Sequence, residues 1–233
     1  MDKNFKVNEA PAKEPVIFDH IFAEKVGGGL VKNAAYNRHP GLAVSEAGVC
    51  LKGAMLVEAI TSESTSIKVK KDSGFAVNDV VASGAAAAKI TAIDSSHADY
   101  DILTVTLGVA LAKGAVIYEA AAAARAAGYE ACESTDEGAL KAVSADAGEG
   151  EILIASVTPW YGDGSAPSAN TYVKAVPAIT PSPKVAPAFV LGTFLPANCG
   201  DEMAKLVNGA NIRKENALFP AEIAAQMKGI HLL

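Results

Sequence analysis

The chain has 233 residues, is 50% hydrophobic but only 6% aromatic, and carries a formal net charge of −6 at pH 7. That length suits one large domain or two small ones. An acidic chain without a Lys/Arg cluster lacks the concentrated positive charge of a nucleic-acid footprint, and no apolar run reaches the ~20 residues that span a bilayer as a helix.

Much of the apolar content is alanine, which buries far less area per residue than Leu or Phe at ~25 cal/mol per Å². A thin core of this kind predicts supplementation by association into a homo-oligomer. The three cysteines, Cys50, Cys132 and Cys199, are odd in number, widely spaced and show no CxxC or Cys/His zinc spacing. They read as reduced, small apolar residues made in a reducing compartment. The start, Met-Asp-Lys-Asn-Phe-Lys, lacks the apolar core of a signal peptide, which predicts synthesis in a cytoplasm.

In chain order, residues 1–41 read as an extended arm with a hinge. Residues 1–18 alternate charge with Pro11 and Pro15 and show no amphipathic period. They end in the apolar run Val16-Ile17-Phe18, which must dock on the chain's own body or on a neighbour. With Ile21 and Phe22 these residues are the candidate partner contacts. Asp19 to Val26 predicts two helical turns with Asp19 as N-cap, stopped by Gly27-Gly28-Gly29. The glycines read as a flexible hinge. They follow no clear strand and lack the Gly-Lys-Ser/Thr ending of a phosphate loop.

Residues 42–120 read as a β module. Leu42-Ala-Val, Val49-Cys-Leu and Met55 to Ile60, punctuated by Gly41, Gly48 and Gly53, predict two or three short strands. From Ser66 to Glu119, runs rich in Val, Ile, Thr and Tyr are bounded by Gly, Asp, Asn and Ser, the pattern of short strands joined by tight turns. Ile67 and Val69 alternate with Lys68 and Lys70, giving one apolar and one wet face. Asp72-Ser-Gly, Asn78-Asp79 and Lys113-Gly114 are turns, Ser83 to Ala88 a Gly/Ala loop, and Asp94 to Tyr100 a hairpin loop.

Residues 121–150 read as an Ala-rich and acidic linker or loops. Ala120 to Ala127 has high helix propensity, yet so short a run is marginal alone. Residues 151–233 read as a second β region. Glu151 to Thr158, Thr171 to Val176 and Ala188 to Leu195 are strands, and Pro177 to Pro187 is an extended crossing. Pro220, Glu222, Lys228 and Gly229 frame a short helix in which Ile223 and Met227 share a face. The apolar end, Ile230 to Leu233, should pack.

Residues that carry chemistry are sparse. His20, His39, His97 and His231 show no metal spacing, and no cofactor motif is present. The cluster Asp94, His97, Asp99 and Asp101 is read as turn chemistry rather than a metal site, and no Gly-x-Ser-x-Gly elbow announces a hydrolase. Trp160 and Tyr161, beside Gly162-Asp163-Gly164, are the candidate recognition-loop residues, because loop aromatics stack on sugars or fill partner pockets. These features predict a mainly β fold: a small β-barrel or sandwich module, or two, with an extended amino-terminal arm and a short carboxyl-terminal helix.

Three stretches carry a resemblance. They are Lys-Lys-Asp-Ser-Gly-Phe-Ala-Val-Asn-Asp-Val-Val at 70–81, Ile-Thr-Ala-Ile-Asp-Ser-Ser-His-Ala-Asp-Tyr-Asp at 90–101, and Leu-Ala-Lys-Gly-Ala-Val-Ile-Tyr-Glu-Ala at 111–120. With the tail from Ala210 to Ile230, this pattern resembles head fibre and head decoration proteins of tailed phages. The resemblance spans roughly 60–120 and 188–230 and carries no catalytic residues. It implies a non-enzymatic virion surface protein, a trimer, attached to the major capsid protein. Val16, Ile17, Phe18, Ile21 and Phe22 would then be the capsid or partner contacts. The alternative is a carbohydrate-binding, adhesin-like module that holds a host-surface glycan through Trp160 and Tyr161.

Overall fold

The structure, a computed structural model, describes residues 17–121 and 181–233 and, between them, the strands at 128–131, 140–141, 152–154 and 172–176. The fold is mainly β, in several sheets that are largely antiparallel. The first part contributes β1 (Phe18–Glu24), β2 (Gly29–Val31), β3 (Ala43–Val44), β4 (Gly53–Met55) and β5 (Ser66–Lys70). It continues with β6 (Val80–Ser83), β7 (Ala86–Lys89), β8 (Ala92–Asp94), β9 (Tyr100–Thr104) and β10 (Val116–Ala120). Then come β11 (Gly128–Ala131), β12 (Leu140–Lys141), β13 (Ile152–Ile154) and β14 (Tyr172–Val176). The last part holds β15 (Phe189–Leu191), β16 (Glu202–Ala204), β17 (Leu206–Ile212), helix α1 (Ala221–Ala224) and β18 (Ile230–Leu232).

Among the described residues, two sheets act as walls between three hydrophobic cores. In the wall β4-β10-β6-β7, side chains alternate. Ala54, Val81 and Ile117 enter one core with Ile67, Val69 and Leu103 of the sheet β5-β9-β8. Tyr118, Ala82 and Ala120 enter the next, with Phe219, Ile223 and Met227. The second wall runs β1-β17-β15-β3, with β18 also on β17. Ala43, Val190 and Val207 face the central core, whereas Val44, Leu191 and Leu206 face the third, beside Val31, Leu42 and Leu195. The chain therefore closes on itself. β1 and β3 share a sheet with β15, β17 and β18, so the early and late parts of the chain build one sheet together.

Of the expected barrel or sandwich modules, the barrel does not form: none of the sheets closes. β4 and β5 are joined by the Leu56–Val69 bridge, but β7 and β8 do not pair, so the ring stays open on that side. Its first wall is occupied on both faces, a geometry suited to a partition between two cores.

Three local expectations are corrected. Residues 19–26 are not helical, since β1 pairs antiparallel with β17. The register pairs Phe18 with Ile212 and His20 with Asn211, leaving Asp19 as an extra residue. A bulge of this kind resets the alternation, so Phe18 and Ile21, three apart, both pack on the central core. That spacing mimics a helical period. The glycine run is a fixed turn rather than a hinge: Gly27 and Gly28 have φ of 75° and 77°, and a Cβ on Gly28 would sit 2.6 Å from the Ala204 carbonyl oxygen. Finally, 83–88 is no loop. Gly84, at φ 58°, turns the β6–β7 hairpin, and Ala87 and Ala88 fit against the cores on either side of it. α1 begins after Pro220, shorter than the expected frame, and its Glu222 accepts the Gly84 N–H at 2.9 Å, tying helix to hairpin.

Arg38 secures the third core and was not singled out in the sequence. It is fully buried, its Nη1 donates to the Lys32 carbonyl, and its Nη2 donates to the Pro196 carbonyl at 2.7 Å and to Cys199 Sγ at 2.8 Å. Its backbone also exchanges hydrogen bonds with Leu195. Arg38→Met leaves two carbonyls without donors, at about 1–3 kcal/mol each. The expected outcome is a urea-unfolding free energy lower by about 2–5 kcal/mol with an unchanged m-value.

Candidate functional site

The arm's end divides its side chains between the inside and the outside of the protein. Val16 lies outside the described residues. Ile17 is buried in the chain's own central core, and Phe18 and Ile21 are partly buried against it. Phe22 is 53% exposed, at a second register shift between Ile21 and Ala23. Its ring lies 6.3 Å from both His20 and His231, and it passes so close to Gly209 that a Cβ there would meet ring carbons at 2.9 Å. Beyond it, Val26 is exposed at the turn, and Leu30 of β2 and Met203 of β16 form an exposed cross-strand pair. Asp19 and Glu24 are held to Arg213 and Lys205 at 3.3 and 3.0 Å. Of the arm-end candidates whose position is described, Phe22 is the one aimed outward.

A second feature is a cluster of four charges beside the first wall. Glu119, on β10, is almost wholly buried. Lys184 Nζ donates to Glu119 Oε1 at 2.6 Å, and Lys52 Nζ lies 3.4 Å from the same oxygen and 2.6 Å from Asp79 Oδ2. Asp79 also accepts the Ala76 N–H at 2.8 Å, and Lys52 sits 5.5 Å from the centre of the Tyr36 ring. Two cations meet two carboxylates, so the cluster balances its own charge. Burial acts to raise Asp79, but its hydrogen bonds to Lys52 and Ala76 outweigh this and hold the carboxyl below its ordinary value. The hydrogen bond to Glu119 raises Lys184 above its ordinary value. Burial pushes Tyr36 up as well.

Two neighbouring cavities, of about 260 and 280 Å³, lie on either side of the turn at Lys71, Asp72 and Ser73. The first has an apolar floor that includes Ile17, Leu42, Met55 and Leu218. The second reaches Asp101, which is buried and bound by Lys71 at 2.9 Å. The turn between them is tight, with Asp72 at φ 60° and Gly74 at φ 75° against the Tyr36 ring.

In the Asp94–Asp101 constellation, Asp94, His97 and Asp101 each have a separate partner. Asp94 Oδ1 accepts the Ser96 N–H at 2.9 Å, His97 stacks on Tyr100 at 4.4 Å, and Asp101 holds Lys71. Among the described residues, no group of three or more His, Cys, Asp or Glu side chains is placed to hold a metal ion, and no helix is long and apolar enough to cross a membrane. Cys50 and Cys199 are free thiols, and burial pushes Cys50 up to about 11. Trp160, Tyr161 and Cys132 lie outside the described residues. The chain matches no protein-family model, no curated protein and no solved structure.

The charge cluster dictates a pH profile. A carboxyl held low contributes stability above its unfolded value, about 3.9, and loses it as pH falls through the folded value. A raised lysine contributes fully below about 10.4 and loses its contribution as pH rises through the folded value. The cluster's own contribution should therefore be flat between these limits and fall at both ends, while the buried Cys50 thiol adds a separate decline above about 8.5, where it ionises in the unfolded chain. Asp79→Asn should weaken the acid limb and Lys184→Met the alkaline limb, read from urea midpoints across pH.

Proposed function

We propose that this chain is a non-catalytic structural protein of a tailed-phage virion, a head fibre or head decoration protein that attaches to the major capsid protein as a trimer. The observation that carries this reading is the outward exposure of large apolar side chains at Phe22 on β1, Val26 in the turn after it, and the Leu30–Met203 pair of β2 and β16. Large apolar side chains held out on paired strands lose little freedom when a partner covers them, which favours protein contact. The likeness of 60–120 and 188–230 to head fibre and decoration proteins supplies the class of partner. The buried charges are matched within the fold, in keeping with a structural role for them. On this reading the protein is made in the host cytoplasm and resides on the capsid surface.

Light scattering of the purified chain should give three times the monomer mass, and the protein should sediment with capsids of its phage. Phe22→Asp leaves the fold intact, because the ring is already half in solvent, and should weaken capsid sedimentation at least about 10-fold, or ~1.4 kcal/mol. A monomer that stays in the supernatant with capsids overturns the proposal.

A further inference from the structure

β10 and β15, both strands of the body, are separated in sequence by β11 to β14, and the segment that follows β10 touches the segment that precedes β15. Ala120 bridges Pro183 in antiparallel fashion, Ala121 N–H donates to the Ser182 carbonyl at 2.9 Å, and Lys184 N–H donates to the Glu119 carbonyl at 3.0 Å. The Lys184–Glu119 ion pair, at 2.6 Å, closes the same junction through side chains. Among the described residues, β11, β14, β13 and β12 form a sheet in which the strands pair with others of the same set. On the body side, the sheet containing β1 and β3 from before the interruption and β15, β17 and β18 from after it is completed without crossing into that set.

A segment whose ends meet can be inserted or removed at little cost in loop-closure entropy, since closure depends only weakly on length, and such junctions are where independent units are accommodated. Independently of the function proposed above, we infer that the sheet of β11, β14, β13 and β12 belongs to a separate unit inserted into the body at the end of β10. The junction of Glu119, Ala121, Ser182 and Lys184 holds the two flanks together, and the body stands without the insert. The charge cluster then has a specific task. Lys184 brings the returning chain to the place the outgoing chain has just left, and Lys52, from the segment before β4, fixes Glu119 in position to receive it.

The test uses the full chain with a specific protease site engineered at each junction, after 121 and before 181. After cutting, size-exclusion chromatography should separate fragment 122–180 from a complex of 1–121 with 181–233. That complex should keep the β circular-dichroism signal and the urea midpoint of the uncut protein. Glu119→Gln in the same background should lower the midpoint of the cut body without restoring attachment of the fragment. Three results overturn the inference. These are a fragment that stays bound at micromolar concentration, flanks that part or precipitate once it is cut free, and junctions that resist cutting under native conditions.

Discussion

A carboxylate on a strand with no solvent-facing side must bring its own cations into the protein, because an unpaired buried charge is too costly to keep. Glu119 is in that position. β10 is buried at every residue, with Ile117 in one core and Tyr118 and Ala120 in the next. Its charge is answered by Lys52, which precedes β4, and by Lys184, which lies on the crossing toward β15. Three stretches far apart in sequence are thereby fixed at one point. Asp79 completes the neutrality and, through its contact with the Ala76 N–H, orders the turn before β6.

The layered cores rest on the same economy of side chains. With few aromatics, the chain fills its interior by using both faces of two sheets, so that each buried strand serves two cores at once. Small residues suit such walls: Ala43, Ala54, Ala82, Ala87, Ala88 and Ala120 let sheets and helix approach closely. The approach is closest at Gly53, where any side chain would collide with the Leu218 carbonyl. The alanine-rich composition, which reads as a thin core, is in three dimensions a partitioned one.

What the sequence disclosed depends on how local its cause was. Strands with their own alternation or β-branched runs, such as β5, β9 and β10, and turns at Asp72, Asn78 and Gly114 are set by neighbouring residues and could be read directly. β1 could not, because the bulge at Asp19 gives its inward residues a helix-like spacing. β7 could not either, since Ala86–Lys89 becomes a strand only when β6 pairs with it and cores lie on both sides. Of the outward apolar display, the sequence indicated Phe22 but not Leu30 or Met203, whose pairing spans most of the chain. Arg38 and the Glu119 cluster gave no local signal, because their partners lie up to 161 residues away.

β1 has one further consequence. It is the longest strand exposed at the border of its sheet, and a straight border of that length is a template on which identical chains stack into an endless ladder. Here the border is interrupted at Asp19, at Phe22 and, across the pair, at Asn208, so no neighbouring strand finds an uninterrupted row of donors and acceptors. Copies crowded together are thus steered away from edge-to-edge fibrillar polymerisation.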